Sequence, residues 1–170
     1  MGSSHITDEY RASGLHIRVI RRPFSLVCRV EVNIRSTAAT VWRILTDVHD
    51  FPRWNSTITR LEGNIREGQQ LRVHVPGTDR TFTPRVSDVV ANQGMTWTGG
   101  LFPLFSGIRT FVVRQRADGS TDFAMQERFS GLMLPLIARF LPDFGRVFAD
   151  FADDLKREAT RSSARANVGT

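Results

Sequence analysis

The stretch LVCRVEVNIRSTAATVWRILTDV, residues 26–48, decides the fold because two periods of apolar residues meet inside it. The first part places apolar residues at every second position: Leu26, Cys28, Val30, Val32 and Ile34. This alternation predicts a β-strand with one buried face. The second part spaces them as a helix does: Val41, Trp42, Leu45 and Val48. The stretch therefore predicts a strand, a helix N-cap at Ser36 and an amphipathic helix.

Shorter segments flank this stretch. Downstream, Pro52 starts a second short helix or a turn, and six β-type segments follow, most of them separated by Gly or Asn. They cover residues 57–62, 70–75, 80–90, 95–98, 108–116 and 120–129. Upstream, residues 15–20 are either a short strand or an extended arm. We expect residues 1–24 to be an N-terminal arm, partly disordered or forming an extra strand, and residues 25–160 to be one domain.

The C-terminal region has an apolar stripe at helical spacing. Its members are Leu136, Ile137, Phe140, Phe144, Val147, Phe148, Phe151 and Leu155. Because proline cannot continue a helix, Pro142 divides the region into a short helix ending near Leu141 and a long one ending near Thr160. Three acids form what we interpret as the solvated face of the long helix: Asp150, Asp153 and Asp154. Residues 161–170 are predicted to be a disordered tail.

Together these elements predict an α+β fold. A curved antiparallel sheet of about six or seven strands wraps around the long C-terminal helix, and two short helices follow the first strand. A sheet with one apolar face needs a cover, and only one long helix is available to supply it. Where the sheet bends away from the helix, we expect a cavity of roughly a few hundred Å³ lined by Phe, Leu and Met.

Three motifs carry a resemblance to a known family: VEVNIRSTAATVWRILTDVHDFPRWN (30–55), MTWTGGLFPLFSGIRTF (95–111) and ERFSGLMLPLI (127–137). With them the chain resembles the SRPBCC superfamily, the START-like or helix-grip fold of birch-pollen-allergen-like proteins, in its polyketide cyclase/dehydrase branch. The resemblance implies a hydrophobic pocket between sheet and helix. Members carry lipids, sterols, quinones or polyketides, and a minority catalyse cyclisation, dehydration or hydrolysis. Relatives often have a histidine where this chain has Arg109, so histidine-dependent chemistry is not implied here.

The last predicted hairpin fixes which side chains share a face. A three-residue loop at 117–119, with Gly119 left-handed, sets Arg109 opposite Glu127 on the apolar face. Shifting the register by one residue would instead oppose Arg109 to Arg128, which is unfavourable. Two charges on an apolar face are costly unless paired, so Arg109 and Glu127 should contact each other. They either orient a ligand head group or form a structural ion pair at the rim.

These patterns give a set of candidate site residues. The expected ligand-binding residues are Arg109, Glu127, Trp97, Phe111, Phe123, Met125, Phe129, Phe102, Phe105, Phe144 and Phe148. The apolar loop 101–105 is expected to close the pocket mouth, with Gly99, Gly100 and Gly107 as hinges. Alternatively, the loop folds onto the core or contacts a membrane or a partner. Glu127 is a weak catalytic candidate, as a general acid or base.

The leading function is binding or transport of a small hydrophobic ligand. The alternatives are a cyclase or dehydratase acting in the same cavity, and a protein-partner module. The net charge of +6 is almost entirely arginine, dispersed along the chain, so no nucleic-acid partner is expected. No apolar run approaches the ~20 residues of a membrane span, which predicts no stable membrane insertion. With one cysteine, Cys28, and no metal motif, we expect a cytoplasmic protein, a possible homodimer, without metal or cofactor.

Overall fold

The strands of this protein fall into two sheets. A computed structural model describes residues 6–12, 14–137 and 142–168. The strands are β1 (Ile6–Ala12), β2 (Leu15–Arg22), β3 (Ser25–Ile34), β4 (Arg60–Glu62), β5 (Arg72–His74), β6 (Thr81–Phe82), β7 (Arg85–Val90), β8 (Gly94–Leu101), β9 (Phe105–Gln115) and β10 (Thr121–Ser130). The helices are α1 (Ala38–Thr46), α2 (Phe51–Trp54), α3 (Leu134–Ile137) and α4 (Phe144–Val168).

The main sheet is antiparallel and has seven strands in the order β1-β2-β3-β10-β9-β8-β7. Helix α4 packs against it, so the predicted α+β fold with a long C-terminal helix and two short helices after an early strand is confirmed. Strands β4, β5 and β6 form a separate sheet of three strands instead of extending the main one. We call the face of the main sheet toward α4 the inner face, and the other the outer face.

The N-terminal arm supplies two strands of the main sheet. Strand β2 pairs with β3 and alternates as β3 does, burying Leu15, Ile17 and Val19. Strand β1 pairs with β2 through a turn at Gly14, whose φ is +79°. The choice between an extra strand and an extended arm is therefore decided in favour of the strand. Residues 1–5 lie outside the described part of the chain.

The predicted register of the last hairpin is confirmed. Arg109 pairs with Glu127 across β9 and β10, and Phe111 pairs with Met125. Gly119 has a φ of +82°, as the three-residue loop requires. The register places every odd-numbered side chain of both strands on the inner face, where Phe111, Phe123 and Met125 are almost completely buried.

Two helix boundaries differ from the predictions. The N-cap of α1 is Thr37, whose hydroxyl accepts a hydrogen bond from the Thr40 amide at 3.2 Å, and not Ser36. Helix α4 continues to Val168, so the prediction of a disordered tail is wrong for residues 161–168. There the Ser163 hydroxyl lies 2.7 Å from that of Ser36 and ties the last turns to the start of α1. The predicted end of the preceding helix near Leu141 lies outside the described residues.

An aromatic cluster joins α4 to the sheet and to α2. The ring of Phe151, which is 1% exposed, lies 6.1 Å from Phe111, 6.3 Å from Phe123 and 5.8 Å from Trp54, between ring centroids. Aromatic rings at such separations add to the stabilisation that burial gives. Phe151 is therefore the centre of the contact between sheet and helix.

Replacing Phe151 by Ala should lower the free energy of unfolding by about 3–5 kcal/mol, because the truncation leaves a cavity that rigid neighbours cannot fill. Chemical denaturation followed by circular dichroism measures this. Phe82→Ala is the matched control, since Phe82 is 49% exposed, and its cost should stay below about 1 kcal/mol. Equal losses in the two variants would contradict this description of the core.

Candidate functional site

Arg109 and Glu127 form an ion pair on the inner face of the sheet. The Arg109 Nε and Nη2 atoms donate to Glu127 Oε2 at 3.0 and 2.5 Å. The two side chains are only 19% and 12% exposed. The guanidinium carbon also lies 5.5 Å from the ring centroid of Phe148 on α4, within the range of a cation–π contact. The charges therefore sit between the sheet and the helix.

A line of aromatic rings leads from the β8–β9 hairpin to this pair. Phe105 stacks on Phe129 at 5.7 Å, Phe129 lies 4.6 Å from Phe144, and Phe144 lies 6.4 Å from Phe148, between centroids. We call these four side chains the aromatic seam. The seam joins β9 and β10 to the first turns of α4, so it lines the boundary between sheet and helix beside Arg109 and Glu127.

The interior beyond the seam is filled by the protein's own side chains. Phe111, Phe123 and Met125 are 1% exposed, and Phe148, the innermost residue of the seam, is 0% exposed. A side chain with almost no accessible surface borders no void that could hold a water molecule. The cavity expected along these residues is therefore not present in this structure. At the other end of the seam, Phe105 and Phe144 are only half-buried. Among the described residues of the seam, Phe105 and Phe144 are therefore where the contact between sheet and helix is least buried.

Two surface hollows lie away from this site. One, of about 540 Å³, lies between the start of α1 and the β7–β8 turn, with Thr37, Asn92 and Arg114 among its lining residues. The other, of about 360 Å³, is bordered by outer-face side chains that include Arg29 and Asp122. Neither hollow borders Arg109 or Glu127, and the sequence predicted neither of them.

Trp97 lies directly across from Arg109 on strand β8. Its indole is 3% exposed and packs against Phe111 at 4.9 Å. The Nε1 donor is buried and has no hydrogen-bond partner among the described residues. A buried donor without an acceptor is unfavourable, so this N–H is available to a ligand or water that reaches it.

Gly107 is a site residue that the sequence assigned to a hinge. A Cβ at this position would lie 3.2 Å from the Phe129 ring and 3.6 Å from Glu127 Oε1. The missing side chain therefore gives room to the seam and to the carboxylate. The predicted hairpin register could have identified this role, because it places Gly107 directly opposite Phe129.

The loop 101–105 forms the tip of the β8–β9 hairpin. Phe105 turns inward and joins the seam, whereas Leu101 and Phe102 are 69% and 79% exposed. Phe102, a predicted ligand-binding residue, is thus not brought to the ion pair in this structure. Gly100 is required by the hairpin, since its φ is +99° and a Cβ would lie 2.4 Å from the Phe105 carbonyl oxygen. Gating by this loop stays a prediction.

A second cluster of buried charges joins α2 to α4. The Asp154 carboxylate accepts hydrogen bonds from the Ser56 amide and hydroxyl, both at 2.7 Å, and Arg53 donates to Glu158 at 2.7 Å. Asp154 and Glu158 are 4% and 7% exposed. The prediction of a solvated face is therefore wrong for Asp154, because the segment after α2 lies over it. Both carboxylates are hydrogen-bonded, which is typical of a structural role, although the Trp54 Nε1 and Asn55 Nδ2 donors beside them are buried and have no partner among the described residues.

The described residues contain no group of three or more His, Cys, Asp or Glu that could hold a metal ion. Cys28 is buried on the inner face of strand β3, and burial raises the pKa of its thiol to about 12, so it is unreactive. Within the same described ranges, no helix is long and apolar enough to cross a membrane.

Comparison with known proteins assigns the fold and the family. The sequence model of the family described as "Polyketide cyclase / dehydrase and lipid transport" matches residues 26–160. A START superfamily protein from Mycobacterium smegmatis is 18% identical and superposes with a TM-score of 0.60, over 79% of this chain and 97% of that one. No curated protein matches the chain.

Two further solved structures share the fold. The hypothetical protein jhp0584 from Helicobacter pylori is 13% identical, with a TM-score of 0.64 over 77% of this chain and 86% of that one. DynU16, described as a protein in the dynemicin biosynthetic locus, is 20% identical, with a TM-score of 0.58 over 76% of this chain and 45% of its own. Such low identities show a common fold and leave the ligand open.

The Arg53–Glu158 pair predicts a pH dependence of stability. The hydrogen bond from Arg53 holds the pKa of Glu158 below its ordinary value of 4.5. The stabilisation that the ionised Glu158 gives to the folded state is therefore fully present above pH 4.5. It is lost as the pH falls through the lowered pKa of Glu158. The melting temperature of the wild type should exceed that of Glu158→Gln at neutral pH, and the gap should narrow in acid. Asp153→Asn, at a more exposed position, is the control. A gap independent of pH would contradict the prediction.

Proposed function

Since the chain belongs to the polyketide cyclase/dehydrase and lipid transport family, we propose that it binds a small hydrophobic molecule between the inner face of the sheet and α4. The polar end of the ligand lies against Arg109 and Glu127, and the apolar part lies along the aromatic seam. The observation that supports this most is the ion pair itself, which is largely buried on an otherwise apolar face.

The cost of burying charge argues for a role beyond stability. Replacing a buried ion pair by apolar residues of similar volume is often neutral or stabilising, so such a pair is weak evidence of a purely structural purpose. Both Arg109 donors share Oε2, which leaves Glu127 Oε1 without a hydrogen bond from any described residue. Glu127 Oε1 is therefore free to accept a hydrogen bond from a ligand.

These free groups favour a particular kind of ligand head group. Glu127 Oε1 accepts and Arg109 Nη1 donates, so a hydroxyl group, which does both, fits the site. A phosphate fits less well, because its charge would lie beside the Glu127 carboxylate. We therefore propose an apolar ligand that ends in a hydroxyl, such as a long-chain alcohol, a sterol or a phenolic polyketide.

The apolar part of the ligand requires the seam to open. Phe129 and Phe144 lie 4.6 Å apart, and Phe144 is half-buried in the first turn of α4. The ligand enters by separating these two rings and replaces their contact with its own apolar surface, which compensates for the lost burial. Phe148 and Phe111 beyond them stay in place and limit the depth of the site.

Catalysis of the cyclase or dehydratase type is the second candidate. The free Oε1 of Glu127 favours it, since a general acid or base must reach the substrate directly. The described residues place no histidine and no second carboxylate in hydrogen bond contact with Glu127. Glu127→Gln separates the two functions: an enzyme loses turnover with binding retained, whereas a carrier has no turnover to lose.

The test of ligand binding uses two fluorescent probes that differ by one hydroxyl, 1-pyrenebutanol and 1-butylpyrene. The wild type should bind the alcohol about tenfold more tightly, because a hydrogen bond to a charged group in a dry site is worth about 1.5–3 kcal/mol. The double variant Arg109→Leu/Glu127→Leu should bind both probes equally. Fluorescence titration gives the affinities.

Stability measurements show whether the variants are folded. Arg109→Leu alone leaves Glu127 buried and unpaired and should cost about 3 kcal/mol, whereas the double variant should regain most of it. A wild type that binds neither probe, or that prefers neither, would contradict the proposed site.

A further inference from the structure

Three loops meet at one end of the sheet and expose large apolar side chains. They are the β2–β3 turn, the β8–β9 hairpin and the segment after β10. We call the exposed side chains there the apolar tip: Phe24, Leu101, Phe102, Leu104, Leu132 and Leu136. All six are 47–79% exposed. Single exposed apolar residues are common, but a contiguous group of this kind marks an interaction surface.

Backbone hydrogen bonds hold the three loops together. The amides of Leu132 and Met133 donate to the carbonyls of Pro103 and Leu104 at 3.1 and 3.0 Å. The Gly131 amide donates to the Phe24 carbonyl at 3.2 Å. A Cβ on Gly131 would lie 2.3 Å from the Leu104 carbonyl oxygen, so only glycine permits this approach. The tip is thus a single built surface.

Two arginines without an acidic partner among the described residues flank the tip. Arg22 ends β2 beside Phe24, and Arg128 lies on the outer face near the end of β10. Both are exposed, and neither forms an ion pair with a described residue. Three sequence segments build this end of the sheet, and none of them contains Asp or Glu: 20–27, 99–108 and 128–137. The nearby Arg21 is paired with Asp8, so Arg22 and Arg128 are the charges left to interact with a partner. An apolar surface beside two such arginines is complementary to an anionic one.

A lipid surface fits the tip better than a protein does. Protein interfaces carry about one hydrogen bond per 100–200 Å², and the side chains of the tip offer no donor or acceptor. Lipid instead requires that backbone polar groups are satisfied within the protein. The cross-loop bonds satisfy several of them, and Pro103 has no amide N–H. Apolar side chains below and basic side chains above are the arrangement that binds the headgroup boundary.

We propose that the apolar tip docks reversibly on an anionic lipid bilayer, with Arg22 and Arg128 against the lipid phosphates. Phe105 follows Leu104 directly and begins the aromatic seam, so docking brings the opening of the proposed site to the bilayer. Docking in this orientation would allow the protein to exchange its ligand with the membrane, and only this role depends on the proposed function. The docking itself depends on the tip alone, and it differs from stable insertion because no spanning segment is involved.

Flotation with lipid vesicles tests the docking. The full chain should float with vesicles of phosphatidylcholine mixed with phosphatidylglycerol, and less with phosphatidylcholine alone. Phe102→Ser/Leu132→Ser should weaken binding about tenfold or more, since each side chain loses apolar burial in the bilayer. Val90→Ser is the matched control. Val90 is 49% exposed beside the β7–β8 turn, at the end of the sheet opposite to the apolar tip, so this substitution should not affect vesicle binding.

The arginines should control the preference for anionic lipid. Arg22→Gln/Arg128→Gln should lose about fivefold in affinity per arginine for the mixed vesicles and little for phosphatidylcholine alone. The difference should shrink at high salt. A wild type that stays with the unbound fraction would overturn the proposal, as would equal binding by the tip variant and Val90→Ser.

A second copy of the chain is the competing occupant of the tip. Sedimentation equilibrium without lipid decides: a wild-type dimer that Phe102→Ser/Leu132→Ser converts to a monomer would also overturn membrane docking. The tip variant should still bind 1-pyrenebutanol in solution. Loss of vesicle binding with probe binding intact therefore concerns the tip, whereas the reverse result contradicts only the proposed ligand site.

Discussion

The structure depends on the packing of α4 across the inner face of the sheet, and this packing is not uniform along the helix. Beyond the first turn, Phe151 contacts rings from the sheet and from α2. The apolar side chains of α4 that are 0–1% exposed are Phe148, Phe151, Ala152, Leu155 and Ala159. At the first turn, Phe144 is only half-buried. A helix must contact the sheet fully somewhere to hold the fold, and it must separate from it somewhere to admit a ligand. In this chain one part of α4 is buried against the sheet, and we propose that the half-buried first turn is the part that separates.

The ion pair lies at the boundary between these two zones. Its position follows from the hairpin register, because the turn at Gly119 determines which residue of β9 meets Glu127. Along β9 and β10, the ion pair comes first, the aromatic seam follows, and the apolar tip lies beyond the ends of the strands. Charge, ring contacts and exposed apolar surface are thus ordered along β9, from the closed interior to the solvent. The second cluster of buried charges, with Asp154 and Glu158, joins the buried part of α4 to α2 and to the segment after it.

Local rules predicted the parts that depend on neighbouring residues. Strand β3, the α1 helix and the pairing of Arg109 with Glu127 all follow from alternation, helical spacing and turn chemistry. The parts that were missed depend on distant segments. Asp154 is buried by the turn after α2, and the last turns of α4 are tied to Ser36, which no helical pattern reveals. The closed interior was also missed, because a sequence gives the residues of an inner face but not how tightly their rings pack.

Photolabelling with an alkyl diazirine, followed by mass spectrometric mapping of the modified peptides, tests the central claim most directly. If the sheet and helix separate at the seam, the label should attach within residues 105–109, 127–129 and 144–148, and excess 1-pyrenebutanol should protect them. Phe51 and Phe151 should remain unmodified. Labels confined to the apolar tip, or found equally around Phe151, would contradict the division of α4 into a closed and an opening end.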